Sequence, residues 1–390
     1  MKYYIIAGEA SGDLHGSNLI KELKKLDGTA NARCWGGDMM KAAGGQLIKH
    51  YKDLAFMGFI EVVKNLPAIL NNLKFCKEDI QRFSPDVLIL IDYPGFNLRI
   101  AKWAKEHRFK VIYYISPQVW AWKEGRVKGI KKWVDKMLVI LPFEKEFYRQ
   151  RVYDVEYIGH PLIQVVEEAI QQKEKKPLLC YNAATDKEVS IDADESSSQK
   201  KVIALLPGSR KQELTIKLPI MLRASKNFPH YQFIIAQAPG QPLEFYKSLV
   251  AAYPDVLIAL AGQTYSLLTR ATAALVTSGT ATLETALFNV PQVVCYKGSV
   301  ISYQIAKRLV KIKYISLVNL IMDKPVVKEL IQNELTVQNI ELELKDILYN
   351  ENRMAQIQND YAALNTLLKK GGNASSRAAQ EIIGFMQTTF

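Results

Sequence analysis

Short apolar segments with the character of buried strands alternate with segments of helical period along most of the chain, in two successive series. In the first series the strand-like segments are residues 3–7, 87–91, 111–115 and 137–141. In the second series they are residues 202–206, 232–236, 256–259, 273–276 and 292–296. Strands that alternate with helices form parallel sheets with helices on both faces. The sequence therefore predicts an α/β protein with two such domains in tandem.

The composition of the chain suggests where these domains begin and end. We expect an N-terminal domain over residues 1–170 and a C-terminal domain over residues 202–370. The last helix, within residues 377–390, is expected to pack back on the first domain. Residues 171–201 contain a polar, acidic and serine-rich tract without periodicity, which is typical of a surface insertion or a linker.

The charge balance and the cysteines restrict the partners and the compartment. The chain of 390 residues has a formal net charge of +12, which favours nucleic acid, an anionic lipid surface or phosphorylated substrates without choosing among them. Its four cysteines show no CxxC spacing, so reduced thiols of a cytoplasmic protein are the simplest interpretation. No segment reaches the roughly 18 apolar residues of a membrane span, so any membrane contact is expected to be peripheral.

The most informative turn follows the strand-like segment 273–276. Ser278, Gly279 and Thr280 precede a helical segment there, and the first backbone N–H groups of a helix attract anions. Glu284, one turn further along, is placed to accept hydrogen bonds from vicinal hydroxyls such as those of a ribose. The turn predicts a site for a diphosphate and its ribose. The alternative is an ordinary helix cap followed by a solvated glutamate.

A second turn of this kind carries Gly208, Ser209 and Arg210 at the end of another strand-like segment. The guanidinium can pair with a diphosphate bidentately, and the two small residues leave the backbone accessible. His160, near the end of the first domain, either assists phosphate binding or is structural. The sequence contains no GxSxG, HExxH or Walker A motif.

In the first domain, the turn after the first strand has the sequence GEASGD. It lacks the GxGxxG pattern of dinucleotide-binding folds, yet it lies where ligands of parallel sheets bind. Glu9, Ser11 and Asp13 are therefore candidates for the site, against the alternative of a plain turn capped by Asp13. Asp92 follows an apolar strand, where partial burial would raise its pKa toward the range of a general base. A capping aspartate before a Pro-Gly turn is the alternative.

Two further segments suit an anionic or lipid ligand. Trp120 follows the third strand, and a run rich in Lys and Arg, residues 123–136, comes after it. This run suits an anionic phospholipid or a phosphorylated acceptor, unless it is a solvated basic face. The apolar residues 56–70 belong to the core or lie in a bilayer interface or an acyl groove.

Eight motifs occur in order between residues 2 and 323: GEASGD, MGFIEV, IDYPGFN, SPQVWAWKEGRVKGIKK, LPFEKEFY, YIGHPL, LPGSRKQEL and SGTATLETAL. In these motifs the chain closely resembles the lipid-A-disaccharide synthases, a family of bacterial glycosyltransferases. The resemblance implies a GT-B fold, with two Rossmann-like domains facing a cleft, and an inverting transfer. The implied donor is UDP-2,3-diacylglucosamine and the implied acceptor is 2,3-diacylglucosamine 1-phosphate, which give the lipid A disaccharide 1-phosphate and UDP. It also implies a cytoplasmic enzyme that contacts lipids of the inner-membrane surface and no nucleic acid; a homodimer is left open.

The resemblance also suggests roles for individual residues. Asp92 would be the base for the acceptor hydroxyl. Glu9 and Asp13 remain rivals, because Gly95 occupies a position where some family members carry a second aspartate. The expected nucleotide-binding residues are Gly208, Ser209, Arg210, Ser278, Gly279, Thr280, Glu284 and Asn319. The expected substrate-binding residues are Ser11, Met57, Asn97, Trp120 and Arg126. No metal and no other cofactor is expected, because arginine and helix N-termini can stabilise the leaving diphosphate.

Two other functions are compatible with parts of this pattern. A UDP-sugar 2-epimerase shares the GT-B architecture and would act without an acylated acceptor. A non-catalytic protein that binds a nucleotide sugar or a nucleic acid would suit the net charge. An RNA-binding protein, however, would show aromatic residues interleaved with basic ones on an exposed sheet, and the sequence has no such pattern.

Overall fold

The computed structural model describes residues 1–54, 66–122, 124–171, 177–191, 200–298, 303 and 312–388. The strands are β1 (Lys2–Ala7), β2 (Asn31–Gly36), β3 (Gln46–His50), β4 (Val87–Ile91), β5 (Lys110–Tyr114), β6 (Lys136–Val139), β7 (Glu156–Tyr157), β8 (Leu178–Asn182), β9 (Lys187–Ile191), β10 (Lys201–Leu206), β11 (Tyr231–Ala236), β12 (Leu257–Ala259), β13 (Ala271–Thr277), β14 (Gln292–Tyr296) and β15 (Lys328–Ile331).

The α-helices of the described residues are α1 (Ala10–Leu26), α2 (Asp38–Ala42), α3 (Leu66–Phe83), α4 (Pro94–Glu106), α5 (Val119–Trp122), α6 (Arg126–Trp133), α7 (Pro142–Arg149), α8 (Leu162–Gln171), α9 (Lys211–Ser225), α10 (Leu243–Val250), α11 (Thr264–Leu268), α12 (Thr280–Leu287), α13 (Leu317–Met322), α14 (Val337–Tyr349), α15 (Glu351–Lys369) and α16 (Ala374–Gln387). Short 3₁₀ helices cover Tyr51–Leu54 and Gln332–Glu334.

The first sheet has seven parallel strands in the order β3-β2-β1-β4-β5-β6-β7. Its central strands β1 and β4 are almost entirely buried along their length. A parallel strand covered by helices on both faces is apolar on both faces, which explains the unbroken sequence Val-Leu-Ile-Leu-Ile of β4. The sheet thus forms the core of an α/β domain.

The second sheet has eight strands in the order β15-β14-β13-β10-β11-β12-β8-β9. Six of them, from β15 to β12, are parallel, whereas β8 and β9 pair antiparallel at one edge. Both sheets are therefore mostly parallel, and the prediction of two α/β domains in tandem is confirmed.

The β8–β9 hairpin changes the interpretation of the polar tract at residues 171–201. In β8, Leu178 and Cys180 are buried while Leu179 between them is exposed, as in a strand with one face on the core. β8 then pairs with β12 and extends the second sheet. At least residues 178–191 therefore belong to the second domain, and the expectation of a separate insertion or linker is wrong for them.

The chain divides into two units, Met1–Pro161 with Leu368–Phe390 and Leu162–Leu367. The first boundary lies at residue 161 rather than at the expected residue 170, because α8 packs on α12 within the second unit. The second boundary lies in the last turn of α15. Helix α16 belongs to the first unit, where it packs on α1 and where Glu381 pairs with Lys136 at 2.5 Å.

Candidate active site

Each sheet has one point at which the strand order reverses. In folds of this kind, ligands bind at the carboxyl ends of the two strands that flank the reversal. In the first sheet these strands are β1 and β4, which pair so that Ala7 lies beside Ile91. The turns that follow them carry Glu9 and Asp92. Two carboxylates predicted from separate motifs are thus brought to one position.

The backbone after β4 adopts a conformation that residues other than glycine rarely adopt. The φ angle is +43° at Asp92 and +48° at Tyr93, and Ile115 at the end of β5 has a φ of +67°. Two side chains hold this turn: Tyr113 Oη and Asn97 Nδ2 donate to the carbonyl oxygen of Asp92, at 2.5 and 2.8 Å. Backbone strain of this kind persists only where surrounding contacts determine it, and it clusters at functional sites.

The carboxyl group of Asp92 has a raised pKa. Burial raises the pKa of Asp92 to about 7; the negative charge of Glu9 adds to the increase, and the backbone N–H of Tyr93 opposes it. A base is most effective when its pKa lies near the working pH. The ring of Tyr93 also lies against Gly8, where a Cβ would approach the ring within 2.3 Å. Position 8 therefore needs glycine.

Asp13 has a different role from the one considered for it. Its side chain is buried and accepts three backbone N–H bonds, from Gly37 at 2.7 Å, Met40 at 3.0 Å and Met39 at 3.1 Å. These groups surround the N-terminus of α2, so Asp13 caps that helix rather than α1. The expectation that Asp13 is a rival base is therefore wrong. Ser11 is exposed in the first turn of α1.

Two residues expected to touch substrate are buried in the domain instead. Asn97 is 0% exposed, and its amide donates to the carbonyl oxygens of Ile91 and Asp92 at 3.1 and 2.8 Å. Trp120 is 8% exposed, and its indole N–H donates to Glu144 Oε1 at 3.2 Å. This burial disfavours both expected substrate contacts, which stay predictions. Asn97 shapes the Asp92 turn, and Trp120 anchors α5 to the start of α7.

Three other residues of the first domain were predicted to bind substrate or phosphate. Arg126 is half-buried in the first turn of α6. Met57 lies outside the described residues, as do residues 56–65 of the apolar stretch. His160 is buried; this burial lowers its pKa to about 3, and the nearby His15 adds to the effect. His160 is therefore neutral near pH 7, and its burial favours the structural interpretation.

The reversal point of the second sheet lies between β10 and β13, where Leu206 pairs with Val276. The turns after these strands are the two predicted for a diphosphate. Gly208 has a φ of +112° and Gly279 a φ of +141°, which side chains with a Cβ rarely allow. Arg210 lies at the N-terminus of α9, is 60% exposed and pairs with Glu213 at 3.3 Å. Ser209 is exposed beside Arg210. Thr280 is exposed at the start of α12.

The turn after β13 is held from two sides. Ser278 Oγ donates to the carbonyl oxygen of Ile315 at 2.8 Å, so this hydroxyl supports the turn while its backbone remains at the surface. Glu284 Oε1 accepts a hydrogen bond from the Tyr265 hydroxyl at 3.0 Å, and burial raises the pKa of Glu284. The glutamate is thus oriented by a tyrosine, one helical turn after Thr280.

Asn319 supports the same region indirectly. It is 1% exposed, and its side chain bonds the backbone of Val327 twice, at 2.8 and 2.9 Å. It also donates to Glu329, which accepts from the backbone N–H groups of Ile315 and Ser316. The amide is therefore engaged within the protein, and the expected direct contact with the nucleotide stays a prediction.

A lysine that the motifs did not single out lies beneath both turns. Lys217 of α9 is 2% exposed, and its ammonium group donates to the hydroxyl of Thr277, the last residue of β13. It also lies 3.6 Å from Glu213, which pairs with Arg210. Burial lowers the pKa of Lys217, and the charge of Glu213 opposes this. The signal in the sequence was a lysine on the buried stripe of α9, beside Leu214 and Leu218.

The described residues contain no group of three or more His, Cys, Asp or Glu side chains placed to hold a metal ion. In the part of the chain that the structure covers, no helix is both long enough and apolar enough to cross a membrane.

Comparison with known proteins narrows what this site can do. The sequence profile of the family described as Lipid-A-disaccharide synthetase matches residues 3–383. The chain is 40% identical to the Lipid-A-disaccharide synthase of Syntrophus aciditrophicus over 380 residues, 96% of this chain and 95% of that relative. It is 37% identical to that of Geobacter metallireducens (96% and 94% covered) and 35% identical to that of Coxiella burnetii (97% and 96% covered).

Solved structures show the fold at much lower identity. The UDP-GlcNAc 2-epimerase of Neisseria meningitidis bound to UDP-GlcNAc has a TM-score of 0.66 and 13% identity, with 98% of this chain and all of that chain covered. The glycotransferase of kitacinnamycin has a TM-score of 0.63 and 12% identity, with 99% and 98% covered. At such identity the likeness shows the fold alone: the chain has the GT-B architecture that glycosyltransferases and epimerases share.

Proposed function

The chain belongs to the lipid-A-disaccharide synthase family, glycosyltransferases of lipid A biosynthesis, and from this premise we propose how its residues perform the transfer. Its substrates are a sugar-nucleotide donor and a lipid acceptor. In our proposal, the donor is UDP-2,3-diacylglucosamine and the acceptor is 2,3-diacylglucosamine 1-phosphate. The second domain binds the UDP part of the donor, and the first domain activates the acceptor hydroxyl.

The two turns at the reversal point of the second sheet bind the diphosphate in this proposal. The backbone N–H groups of residues 278–280, at the start of α12, donate to the diphosphate. The positive end of the helix dipole lies at the same place and attracts the anion. Arg210 adds a guanidinium that keeps its charge and can bind two phosphate oxygens. Glu284, held by Tyr265, accepts hydrogen bonds from the ribose hydroxyls. Charge that develops on the departing UDP is stabilised by these groups.

Asp92 is the base. Its carboxylate takes the proton from the acceptor hydroxyl, whose oxygen forms the new bond to the anomeric carbon of the donor. The bond from that carbon to the UDP oxygen breaks on the opposite side, and UDP leaves with the electron pair. The anomeric configuration is therefore inverted. Glu9 contributes by raising the pKa of Asp92, since its negative charge disfavours a second carboxylate nearby.

The observation that carries the proposal is the position of Asp92 at the reversal point of the first sheet, with a pKa of about 7. Incubation with both acylated sugars and mass detection of the products tests it. We expect a disaccharide 1-phosphate and UDP in equal amounts, and only when both substrates are present. Release of UDP from the donor alone at the same rate would instead indicate a hydrolase or an epimerase.

We further propose that the enzyme works at the inner-membrane surface, in the cytoplasm. Helix α3 supports this, because Leu70 is 54% and Phe75 43% exposed on it, with Lys74 and Lys77 close by. Exposed apolar side chains beside lysines suit the boundary between acyl chains and anionic headgroups. Replacement of Leu70 and Phe75 by serine should reduce sedimentation with anionic vesicles. Unchanged sedimentation would contradict this contact.

A further inference from the structure

A groove of about 350 Å³ lies in the first domain between α4 and α6. The two helices pack on each other, and the groove runs along their contact. Small-molecule sites in proteins typically occupy roughly 300–1,000 Å³, so the groove has room for a phosphate group and part of a sugar. Of the residues that line it, only Arg126 was expected to touch substrate.

Three side chains give the groove a strong positive charge. Arg99 and Lys102 come from α4 and Arg126 from the first turn of α6. The lining residues, all of them among the described ones, include no aspartate and no glutamate. An anion in the groove would therefore be attracted by three positive charges. Arginine pairs match the geometry of a phosphate group especially well.

Apolar side chains line the groove together with these charges. Trp133 and Leu98 line it, and Lys102 Nζ lies 6.0 Å from the centroid of the Trp133 ring. Gly129 permits this arrangement, because a Cβ there would come within 2.7 Å of the same ring. The groove therefore combines cationic groups with an aromatic ring, which suits a phosphorylated sugar.

The groove adjoins the proposed base. Pro94 and Gly95, which directly follow the Asp92 turn, form one end of it. Burial and the charge of Asp92 raise the pKa of Tyr113, and the charge of Arg126 opposes this increase. The Tyr113 hydroxyl donates to the carbonyl oxygen of Asp92. A ligand in the groove thus lies beside the strained turn that presents the carboxylate.

We propose that this groove binds the phosphate group of the acceptor, with Arg99 and Arg126 as its main ligands and Lys102 as an additional charge. The proposal rests on the proposed function, since it assigns a binding site to one substrate of that reaction. The chemistry recognised is a phosphate monoester on a sugar. A phosphodiester headgroup of a membrane lipid carries similar chemistry, and the experiment below separates the two sources.

The test compares two acceptors, 2,3-diacylglucosamine 1-phosphate and the same molecule without its phosphate. For the Arg99→Ala/Arg126→Ala double variant, we expect the KM for the phosphorylated acceptor to rise about a hundredfold, since each lost charged hydrogen bond corresponds to about tenfold. The KM for the dephosphorylated acceptor and for the donor should not change. The preference of the enzyme for the phosphate should therefore disappear. Because the preference is a ratio measured on one preparation, partial misfolding does not alter it.

The chain offers a matched control on the same helix. Lys128 and Lys132 of α6 are exposed and do not line the groove. The Lys128→Ala/Lys132→Ala variant removes the same net charge and should keep the wild-type preference. Arg126→Lys, which keeps the charge but loses the bidentate geometry, should fall between the wild type and Arg126→Ala.

Vesicles of phosphatidylglycerol and of phosphatidylcholine provide the second arm of the test. We expect the Arg99→Ala/Arg126→Ala variant to sediment with them as the wild type does. Loss of sedimentation together with an equal KM increase for both acceptors would assign the groove to membrane headgroups and overturn the proposal. An unchanged phosphate preference in the double variant would also overturn it, without affecting the proposed function. If the wild type formed no disaccharide from either acceptor, the proposed function itself would fail.

Discussion

The two sheets reverse their strand order in the same way, but the turns at the two reversal points are built for opposite tasks. After β4, residues with side chains occupy left-handed backbone conformations, and a carboxyl group with a raised pKa results. After β10 and β13, glycines occupy the unusual conformations and leave backbone N–H groups and Arg210 at the surface. In our proposal, one architecture thus supplies a proton acceptor in the first domain and an anion site in the second.

The same contrast appears in the buried charges. In the first domain, the charge of Glu9 and burial both oppose ionisation of Asp92. In the second domain, buried Lys217 is paired with Glu213, which is itself paired with Arg210. A carboxyl group whose ionisation is disfavoured has a raised pKa and can exchange its proton near neutral pH. A charged group with an oppositely charged partner is instead stabilised in its charged form and held in position. The following predictions test this division between the domains.

Asp92→Asn should have the largest effect. Amide substitution keeps the shape but removes the base, so we expect kcat to fall about 10²–10⁴-fold while UDP affinity is unchanged. A radiolabelled transfer assay and UDP titration calorimetry measure the two quantities. Asp38→Asn is the matched control, since that side chain is 82% exposed in the first domain. Near-normal turnover in Asp92→Asn would show that another group is the base.

Arg210→Ala should weaken UDP binding by the second domain without removing the proposed base in the first. Loss of charged hydrogen bonds to the diphosphate should weaken UDP binding about ten- to a hundredfold. Calorimetric titration with UDP measures this directly. Arg223→Ala, an exposed position in the last turn of the same helix, should bind UDP as the wild type does. Equal affinities for the two variants would remove Arg210 from the donor site.

The raised pKa of Asp92 predicts a pH dependence of both the catalytic rate and the stability of the protein. Because the base must be ionised, kcat/KM should fall about tenfold per pH unit below the Asp92 pKa of about 7. The contribution of this carboxyl group to stability has the opposite trend. Its folded pKa exceeds the unfolded value of about 3.9, so its stabilising contribution is complete at low pH and is lost as the pH rises through about 7.

It follows that Asp92→Asn should unfold at a higher temperature than the wild type at pH 8, and that this difference should vanish toward pH 4. Thermal unfolding of both proteins across this range measures the effect. A wild-type protein that is more stable than the variant at pH 8 would contradict the raised pKa.

Lys217→Met should have the smallest effect. Methionine fills a similar volume and Glu213 keeps Arg210 as a partner, so the fold should be retained. UDP affinity should nevertheless fall about three- to tenfold, or about 1 kcal/mol, because Glu213 and Thr277 lose the group that connects their turns. UDP titration with thermal unfolding separates this from a loss of structure, and Lys226→Met at the exposed end of α9 is the control. Unchanged affinity would leave Lys217 a purely structural residue.

The sequence predicted the architecture well where the signal was local. Strands of the two sheet centres are unbroken apolar segments, and each turn at a reversal point has a distinctive composition. Several strands outside the sheet centres were missed because they are short or carry charge: β2 includes Arg33, β7 has two residues, and the β8–β9 hairpin lies in an acidic region. Tertiary pairing, rather than local propensity, makes these segments strands.

The sequence by itself determined the two-domain α/β class, the family and the turns that form the candidate site, because strand period and turn chemistry are properties of neighbouring residues. Only the tertiary structure decided which polar residues in those motifs are free for a ligand. Asp13 caps the N-terminus of helix α2, which lies about two dozen residues away in the chain. Lys217 donates to Thr277, which lies 60 residues away. Burial and hydrogen-bond partners depend on segments that meet only in the folded chain, so a motif cannot separate a catalytic carboxylate from a capping one.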